Sequence, residues 1–143
     1  MDNSERLSKE LAFRNTTYIV KAENSLGTDI TIKIGEIPTS LFSAIPLLEN
    51  WVFLTAWNPL PNILTRDQNM ARNQALFTDI KSMHLASING IGVAKGNKWE
   101  EESFFIYNIP VTTAHNLARK YGQLAFVYGY AHQPAELIFT ELS

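Results

Sequence analysis

Side chains that could bind a small polar or anionic molecule occur at several separate places in this chain. Carboxamides donate and accept hydrogen bonds, an arginine can hold an anionic group, a tryptophan can stack on a planar ring, and a glutamate can accept a proton. The residues that we single out as the candidate ligand site are Asn58, Asn69, Arg72, Asn73, Trp99, Glu101, Glu102 and Gln123. Their types identify no reaction, so no catalytic residue is assigned.

The helix predicted over residues 66–83 carries carboxamides where apolar side chains are expected. Thr65, with Gln68 three residues later, forms a capping box that contributes ~1 kcal/mol to the start of this helix. The stripe that should face the core consists of Asn69, Asn73, Leu76, Ile80 and Met83. A buried carboxamide without a partner costs ~1–3 kcal/mol, so the first two should meet polar partners or line a wet cleft.

An apolar strand predicted over residues 51–57 precedes this helix. Its nearly continuous apolar run is typical of a central strand covered on both faces, and Asn58-Pro59 ends it. The other predicted elements are a helix at 4–13, strands at 16–23 and 29–34, helical turns at 39–45, strands at 84–93 and 104–109, a helix at 110–121 that Gly122 caps, and strands at 124–130 and 135–140.

From residue 51 onward the predicted order is strand, helix, strand, strand, helix, strand. The economical fold for this order is α+β with a ferredoxin-like split βαββαβ core, an antiparallel or mixed sheet with its helices on one face. We expect a single domain over residues 1–143: a helix, a β-hairpin and a short helix in 1–50, the core in 51–130 and a C-terminal strand in 131–143. In this fold the candidate residues converge in a cleft at one edge of the sheet.

A purely structural polar network is the alternative use of the same residues, and the sequence leaves it open. Arg72 would then pair with Glu101 or Glu102. Because neighbours in an extended segment point to opposite faces, only one of these glutamates points inward, and we expect Glu102 to be the partner. A paired carboxylate has a lowered pKa and is a poor general base. An unpaired inward glutamate near Trp99 would have a raised pKa and could accept a proton.

Composition and charge exclude several classes of function. The net charge of −2 gives no general attraction to nucleic acid or to an anionic membrane. The lack of cysteine excludes disulfides, thiolate zinc sites and cysteine nucleophiles, and the histidines are dispersed, so we expect neither a metal nor another cofactor. With no apolar run of signal or transmembrane length, we expect a cytoplasmic protein without membrane contact.

Aromatic side chains on neighbouring predicted strands favour a second hypothesis, a non-enzymatic interaction or oligomerisation module such as a homodimer. A sheet with helices on one face needs a cover on the other, although an internal core is the more common use of aromatic residues. The residues concerned are Phe104, Phe105, Tyr107, Phe126, Tyr128 and Tyr130. Binding of single-stranded RNA is a weaker third hypothesis, which the acidic balance and the lack of a Lys/Arg-Gly-Phe segment disfavour.

Four ordered motifs resemble those of one protein family. They are Thr55-Ala56-Trp57-Asn58-Pro59, Asn69-x-x-Arg72-Asn73, Trp99-x-Glu101-Glu102-Ser103-Phe104 and Tyr121-Gly122-Gln123. They are similar to T-A-W-N-P, E-N-x-x-R-N, W-P-E-E-S and F-G-Q of an uncharacterised bacterial family, the domain of unknown function 3293. The chain departs from that pattern at Gln68, Glu100 and Tyr121, where the family has Glu, Pro and Phe. The resemblance implies where a site lies and implies no activity. Any reaction that used the family's Glu would not carry over to Gln68.

Overall fold

A computed structural model of the protein describes residues 2–22, 27–59, 62–97 and 99–141. Part of the turn of the predicted N-terminal hairpin lies outside these ranges. The described helices are α1 (Asn3–Arg14), α2 (Thr39–Ala44), α3 (Arg66–Ser82) and α4 (Val111–Lys120). The described strands are β1 (Thr17–Val20), β2 (Ile30–Ile32), β3 (Asn50–Leu54), β4 (Ala86–Val93), β5 (Glu100–Tyr107), β6 (Ala125–Tyr130) and β7 (Glu136–Phe139).

The described strands form one sheet in the order β2-β1-β4-β5-β3-β6-β7. Every neighbouring pair is antiparallel, so the sheet is antiparallel throughout rather than mixed. The strands β1 and β2 extend one side of the four central strands, and β7 extends the other side. The predicted α+β class is confirmed. In the part of the chain that the structure describes, no helix has both the length and the apolar character needed to cross a bilayer.

Two strands have different bounds from the predicted ones at the edge where the candidate site lies. β3 ends at Leu54, opposite Phe104, instead of continuing to Trp57. β5 begins at Glu100 rather than at 104, because its first residues pair with the end of β4, where Glu100 lies opposite Val93. The chain after Leu54 therefore leaves the strand ladder while its neighbour β5 continues past it.

The helices α3 and α4 are each followed by a residue in the left-handed backbone region. His84 follows α3 with a φ of 58°, and the N–H of Leu85 donates to the carbonyl of Ile80 at 3.2 Å. This closure of the helix is why β4 begins at Ala86 and not at His84 as predicted. Gly122 follows α4 with a φ of 69°, which confirms the predicted cap, because glycine adopts this conformation without steric cost.

Apolar side chains form two cores, one on each face of the sheet. On what we call the first face, α3 and α4 pack against the strands, and the buried residues include Val52, Leu54, Leu76, Ile80, Ile106 and Leu117. On the second face α2 packs, and the buried residues include Val20, Leu41, Trp51, Phe53, Phe105 and Val127. The prediction of helices on one face therefore holds for α3 and α4, whereas α2 covers part of the other face.

The aromatic residues of the interaction hypothesis are mostly used in these cores. Phe104 and Phe126 are buried on the first face, and Phe105 is buried on the second. Tyr130 is 60% exposed. The common internal use of aromatic side chains therefore accounts for most of this set.

Gly129 and Gly92 offer a matched test of packing on the second face. A Cβ at Gly129 would overlap the Trp51 indole, whereas a Cβ at Gly92 would meet Cδ1 of Tyr18 at 3.8 Å, an ordinary contact. We expect Gly129→Ala to lower the free energy of unfolding by ~1–3 kcal/mol or more, and Gly92→Ala to change it by less than ~1 kcal/mol. Urea unfolding measures both. Equal effects of the two substitutions would contradict this packing of Trp51.

Candidate functional site

Side chains of α3, rather than a neighbouring strand, hold the backbone that follows β3. The N–H of Ala56 donates to Oδ1 of Asn73 at 2.8 Å, and the N–H of Asn58 donates to Oδ1 of Asn69 at 2.8 Å. Asn69 is 1% exposed and Asn73 is 5% exposed. These two carboxamides therefore find the polar partners that we expected them to need, and the partners are groups of the protein's own backbone.

The Nδ2 groups of the same carboxamides are also engaged. Nδ2 of Asn73 donates to the carbonyl of Glu102 at 2.8 Å, so Asn73 links the segment after β3 to the start of β5. Nδ2 of Asn69 donates to Oδ1 of Asn58 at 2.8 Å, and that oxygen also accepts from the N–H of Leu64 at 2.9 Å. The three asparagines thus close the loop between β3 and α3.

Arg72 and Gln123 also donate to backbone carbonyls. Nε of Arg72 donates to the carbonyl of Ala56 at 2.8 Å, and its Nη2 donates to the carbonyl of Tyr121. The Arg72 guanidinium lies 5.7 Å from the centroid of the Tyr121 ring. Nε2 of Gln123 donates to the carbonyl of Trp57 at 3.1 Å. These two side chains lie close together, since Arg72 and Gln123 bond to the neighbouring carbonyls of Ala56 and Trp57, and the contacts observed for them are with the protein itself.

The expected ion pair between Arg72 and Glu102 is wrong. Oε1 of Glu102 lies 3.7 Å from Nη2 of Arg66, and the Glu102 side chain is 43% exposed. Arg66 is the first residue of α3, whereas Arg72 lies well along the helix with its guanidinium turned toward Ala56. The Glu102 carboxylate therefore lies beside the first turn of α3. Arg72 lies more than one turn further along the same helix.

Two departures from the family motifs have structural roles. Oε1 of Gln68 accepts from the N–H of Thr65 at 3.0 Å, and the N–H of Gln68 donates to Oγ1 of Thr65 at 3.2 Å, which confirms the predicted capping box. A glutamate can accept the same bond, so the exchange keeps the cap. The hydroxyl of Tyr121 donates to Oδ2 of Asp79 at 2.6 Å and ties α4 to α3.

A pocket of about 550 Å³ opens on the second face of the sheet, opposite α3 and α4. The candidate residues that line it are Asn58, Trp99, Glu101 and Gln123. The remaining candidates are not part of the lining; these are Asn69, Arg72, Asn73 and Glu102. The predicted set is therefore divided. Trp99 and Glu101 belong to the pocket, whereas Asn58 and Gln123 line the pocket and also take part in the structural network.

Several pocket residues were missed by sequence reasoning. Thr55 and Ser103 line the pocket and could have been found, because strand alternation places them on the same face as the buried aromatic residues two positions away. Lys9 and Phe13 of α1 and Tyr18 of β1 complete the wall. No local pattern indicates these three residues, since their position depends on the pairing of β1 with β4.

Glu101 is a half-buried carboxyl group on the pocket wall. Burial raises its pKa from the ordinary value of 4.5 to about 7, and no hydrogen bond or opposite charge among the described residues offsets this effect. Burial also raises the pKa of Tyr18, with a smaller contribution from the negative charge of Glu101. From the sequence we expected Glu102 to be the inward glutamate. The unpaired glutamate with a raised pKa is instead Glu101, and it is the group in this site best placed to exchange a proton near neutral pH.

No grouping of His, Asp and Glu side chains within the described ranges could hold a metal ion. His115 lies on α4 against the edge of Phe126, with ring centroids 5.1 Å apart, and His132 stacks on Phe42 at 4.0 Å. Neither histidine lines the pocket.

A family model described as Protein of unknown function (DUF3293) matches residues 54–126 of the 143. The matched part contains α3, β4, β5 and α4, together with all the candidate site residues. The strand β1 and the helix α1, which form one wall of the pocket, precede it. No curated protein and no solved structure matches the chain.

Replacing Asn73 tests whether the carboxamide network is structural. Asn73→Ala leaves the buried N–H of Ala56 without its partner, so we expect the free energy of unfolding to fall by ~1–3 kcal/mol. The control is Gln74→Ala on the exposed side of the same helix, which should change stability by less than ~0.5 kcal/mol. Urea unfolding measures both. An Asn73→Ala variant as stable as the control would show that the network does not hold the fold.

Glu101→Gln tests the raised pKa through the pH dependence of stability. Between pH 4.5 and about 7 the folded protein binds more protons at Glu101 than the unfolded chain does, so this group's contribution to stability is lost as the pH rises through that window. The wild type should therefore lose stability relative to Glu101→Gln over this range. Glu102→Gln, on the other face, should follow the wild-type curve. Parallel curves for wild type and Glu101→Gln would contradict the raised pKa.

Proposed function

The chain belongs to the family described as Protein of unknown function (DUF3293), and we propose that it binds a small organic molecule in the pocket on the second face of its sheet. The observation that carries this proposal is a pocket of about 550 Å³ with the half-buried Glu101 carboxyl on its wall. Pockets that bind small molecules measure ~300–1,000 Å³. From the sequence we predicted a cleft at one edge of the sheet. In this proposal the ligand site is instead the pocket on the second face, which opens beside that edge.

The lining supports a ligand with a largely apolar body and a few polar groups. Phe53, Trp57 and Val127 supply apolar surface, and Thr55 and Ser103 add hydroxyl groups near Glu101 along the same strand faces. In ligand pockets the apolar walls provide most of the buried surface, and a small number of polar groups set the orientation. We therefore expect the ligand to place its polar end toward the strand β5.

An anionic group bound by Arg72, which we expected from the sequence, has less support than a polar group in the pocket. Nε and Nη2 of Arg72 already donate to the carbonyls of Ala56 and Tyr121. Turning the guanidinium toward a ligand would break these bonds and leave the carbonyl of Ala56 unpaired, at a cost of ~1–3 kcal/mol. The carbonyl of Tyr121 would keep only its bond from Nε2 of Gln123 at 3.2 Å. In our proposal Arg72 and the neighbouring carboxamides hold the backbone beside the pocket in place.

We also propose that the four central strands with α3 and α4 form a ferredoxin-like split βαββαβ unit. The order β4-β5-β3-β6, the antiparallel pairing of these strands and the packing of both helices on the first face support this assignment. A cytoplasmic location stays a prediction from composition, and a bacterial origin stays a prediction from the resemblance.

Self-association is a second candidate function, which exposed apolar side chains favour. Leu7 and Leu11 are each 61% exposed, and they lie one turn apart on α1. Trp99, on the pocket lining, is 58% exposed. A homodimer would cover such side chains, and a solution mass equal to that of one chain would exclude it.

Filling the pocket tests the proposed function. A fragment library is screened against the wild type by ligand-observed NMR, and the bound fragments are measured again with Gly92→Leu, whose side chain would extend from the pocket lining where a Cβ meets only ordinary contacts. We expect the fragments that bind the wild type to lose at least ~tenfold in affinity, about 1.4 kcal/mol. The control Ile91→Leu, which changes the adjacent residue on the first face, should retain binding.

Two results would contradict the proposal. One is a screen in which no fragment binds the folded wild type at millimolar concentration. The other is a set of fragments whose affinity is the same for wild type and for Gly92→Leu, because these fragments would bind elsewhere. Urea unfolding of both variants confirms that any loss of binding is not a loss of folding.

A further inference from the structure

The charged groups of the pocket favour a positive ligand. Among the described residues, the charged side chains of the lining are Lys9 of α1 and Glu100 and Glu101 of β5. The other titratable group on this wall is Tyr18 of β1, which is neutral at physiological pH because burial raises its pKa further above 10. When Glu101 is ionised, the lining carries more negative than positive charge, and an anionic ligand would face both carboxylates.

Several hydrogen-bond donors on the wall formed by β1, β5 and the ends of β3 and α4 are used by the protein itself. Four of them donate to backbone carbonyls: the hydroxyls of Thr55 at 2.6 Å, Tyr18 at 3.1 Å and Ser103 at 3.1 Å, and the carboxamide of Gln123 at 3.1 Å. The hydroxyl oxygens keep lone pairs that can accept, and the Glu101 carboxylate accepts only. Around Glu101 the wall therefore offers acceptors, which favour a ligand group that brings donors.

Aromatic rings surround the same space. The rings of Tyr18 and Phe53 meet edge to face with centroids 5.2 Å apart, and both line the pocket. Phe13, Trp57 and Trp99 add aromatic lining from three other parts of the chain. The face of an aromatic ring is the negative end of its quadrupole and attracts ammonium groups, most strongly where water is excluded.

From the acceptors around Glu101, the surplus of carboxylates and the aromatic rings together, we infer that the ligand of this pocket is an organic cation, a small molecule whose protonated amine lies against Glu101. This inference rests on the proposed function and deepens it by naming the chemical class of the ligand. A neutral ligand would leave the Glu101 charge without a partner, whereas an ammonium group supplies both a charge and several donors. Burial holds the pKa of free Glu101 near 7, so binding of the cation near neutral pH releases a proton.

The test uses matched probes that differ only at one end. They are tryptamine, tryptophol and indole-3-propionate, together with the corresponding amine, alcohol and carboxylate built on benzene and on cyclohexane. Calorimetry measures their dissociation constants for the wild type, Glu101→Gln and Glu102→Gln. The amines have a pKa near 10, like that of lysine, and stay protonated over the range studied.

We expect at least one amine to bind the wild type ~tenfold more tightly than its alcohol, with the carboxylate weakest, since a charge-assisted hydrogen bond is about twice as strong as a neutral one. The amine should lose this advantage in Glu101→Gln and keep it in Glu102→Gln, whose side chain lies on the other face. The affinity of the wild type for the amine should rise from pH 5.5 to 8, and that of Glu101→Gln should not. The glutamine variant should fold at least as well as the wild type, because its neutral side chain suits the buried position.

The outcomes separate this inference from the proposed function. If fragments of the wider screen bind in the pocket but no amine exceeds its alcohol, or if Glu101→Gln keeps the amine preference, the organic cation is wrong and small-molecule binding stands. If no probe and no fragment binds, both are wrong. A preference for amines that is lost with Glu101→Gln and follows the ionisation of Glu101 supports the inference.

Discussion

The hydrogen bonds from α3 to the backbone after β3 are the interaction on which the rest of the site depends. β3 leaves the strand ladder at Leu54, and buried N–H groups beyond that point need partners that no strand supplies. Asn73 and Asn69 provide them from the helix, at 2.8 Å each. Because one carboxamide satisfies both a donor and an acceptor, Asn73 also fixes the start of β5 relative to the end of β3. A hydrophobic side chain at position 73 would pack against the strands and leave the N–H of Ala56 unpaired.

This constraint assigns different roles to the two faces of the sheet. On the first face Asn69, Arg72 and Asn73 form hydrogen bonds with backbone groups, and these bonds stabilise the fold. On the second face Thr55, Glu101 and Ser103 line a pocket whose walls are mainly aromatic and aliphatic. The difference is visible in the two neighbouring glutamates. Glu102 pairs with Arg66 at the surface, whereas burial raises the pKa of Glu101 to about 7.

The sequence was sufficient to predict that polar residues meet at the end of the first core strand, because Asn69 and Asn73 occupy the buried stripe of a helix that follows it. It was not sufficient to predict what they bind, since a carboxamide serves a ligand and an unpaired backbone N–H equally well. The apolar run 51–57 has the pattern of one continuous strand, and only the partner strand reveals that pairing stops at Leu54. The wall formed by Phe13 and Tyr18 follows from long-range strand order, which local patterns do not contain.

The most direct test of this account is a map of ligand-induced chemical-shift changes that follows both faces in one experiment. The side-chain N–H signals of Asn69, Arg72 and Asn73 report on the first face, and the backbone amides of Gly92, Glu101 and Ser103 report on the pocket. With a fragment that binds the wild type, we expect the largest changes at the pocket amides and only small changes at the three side chains. The largest changes at Asn69, Arg72 and Asn73, with the pocket amides unmoved, would contradict the account.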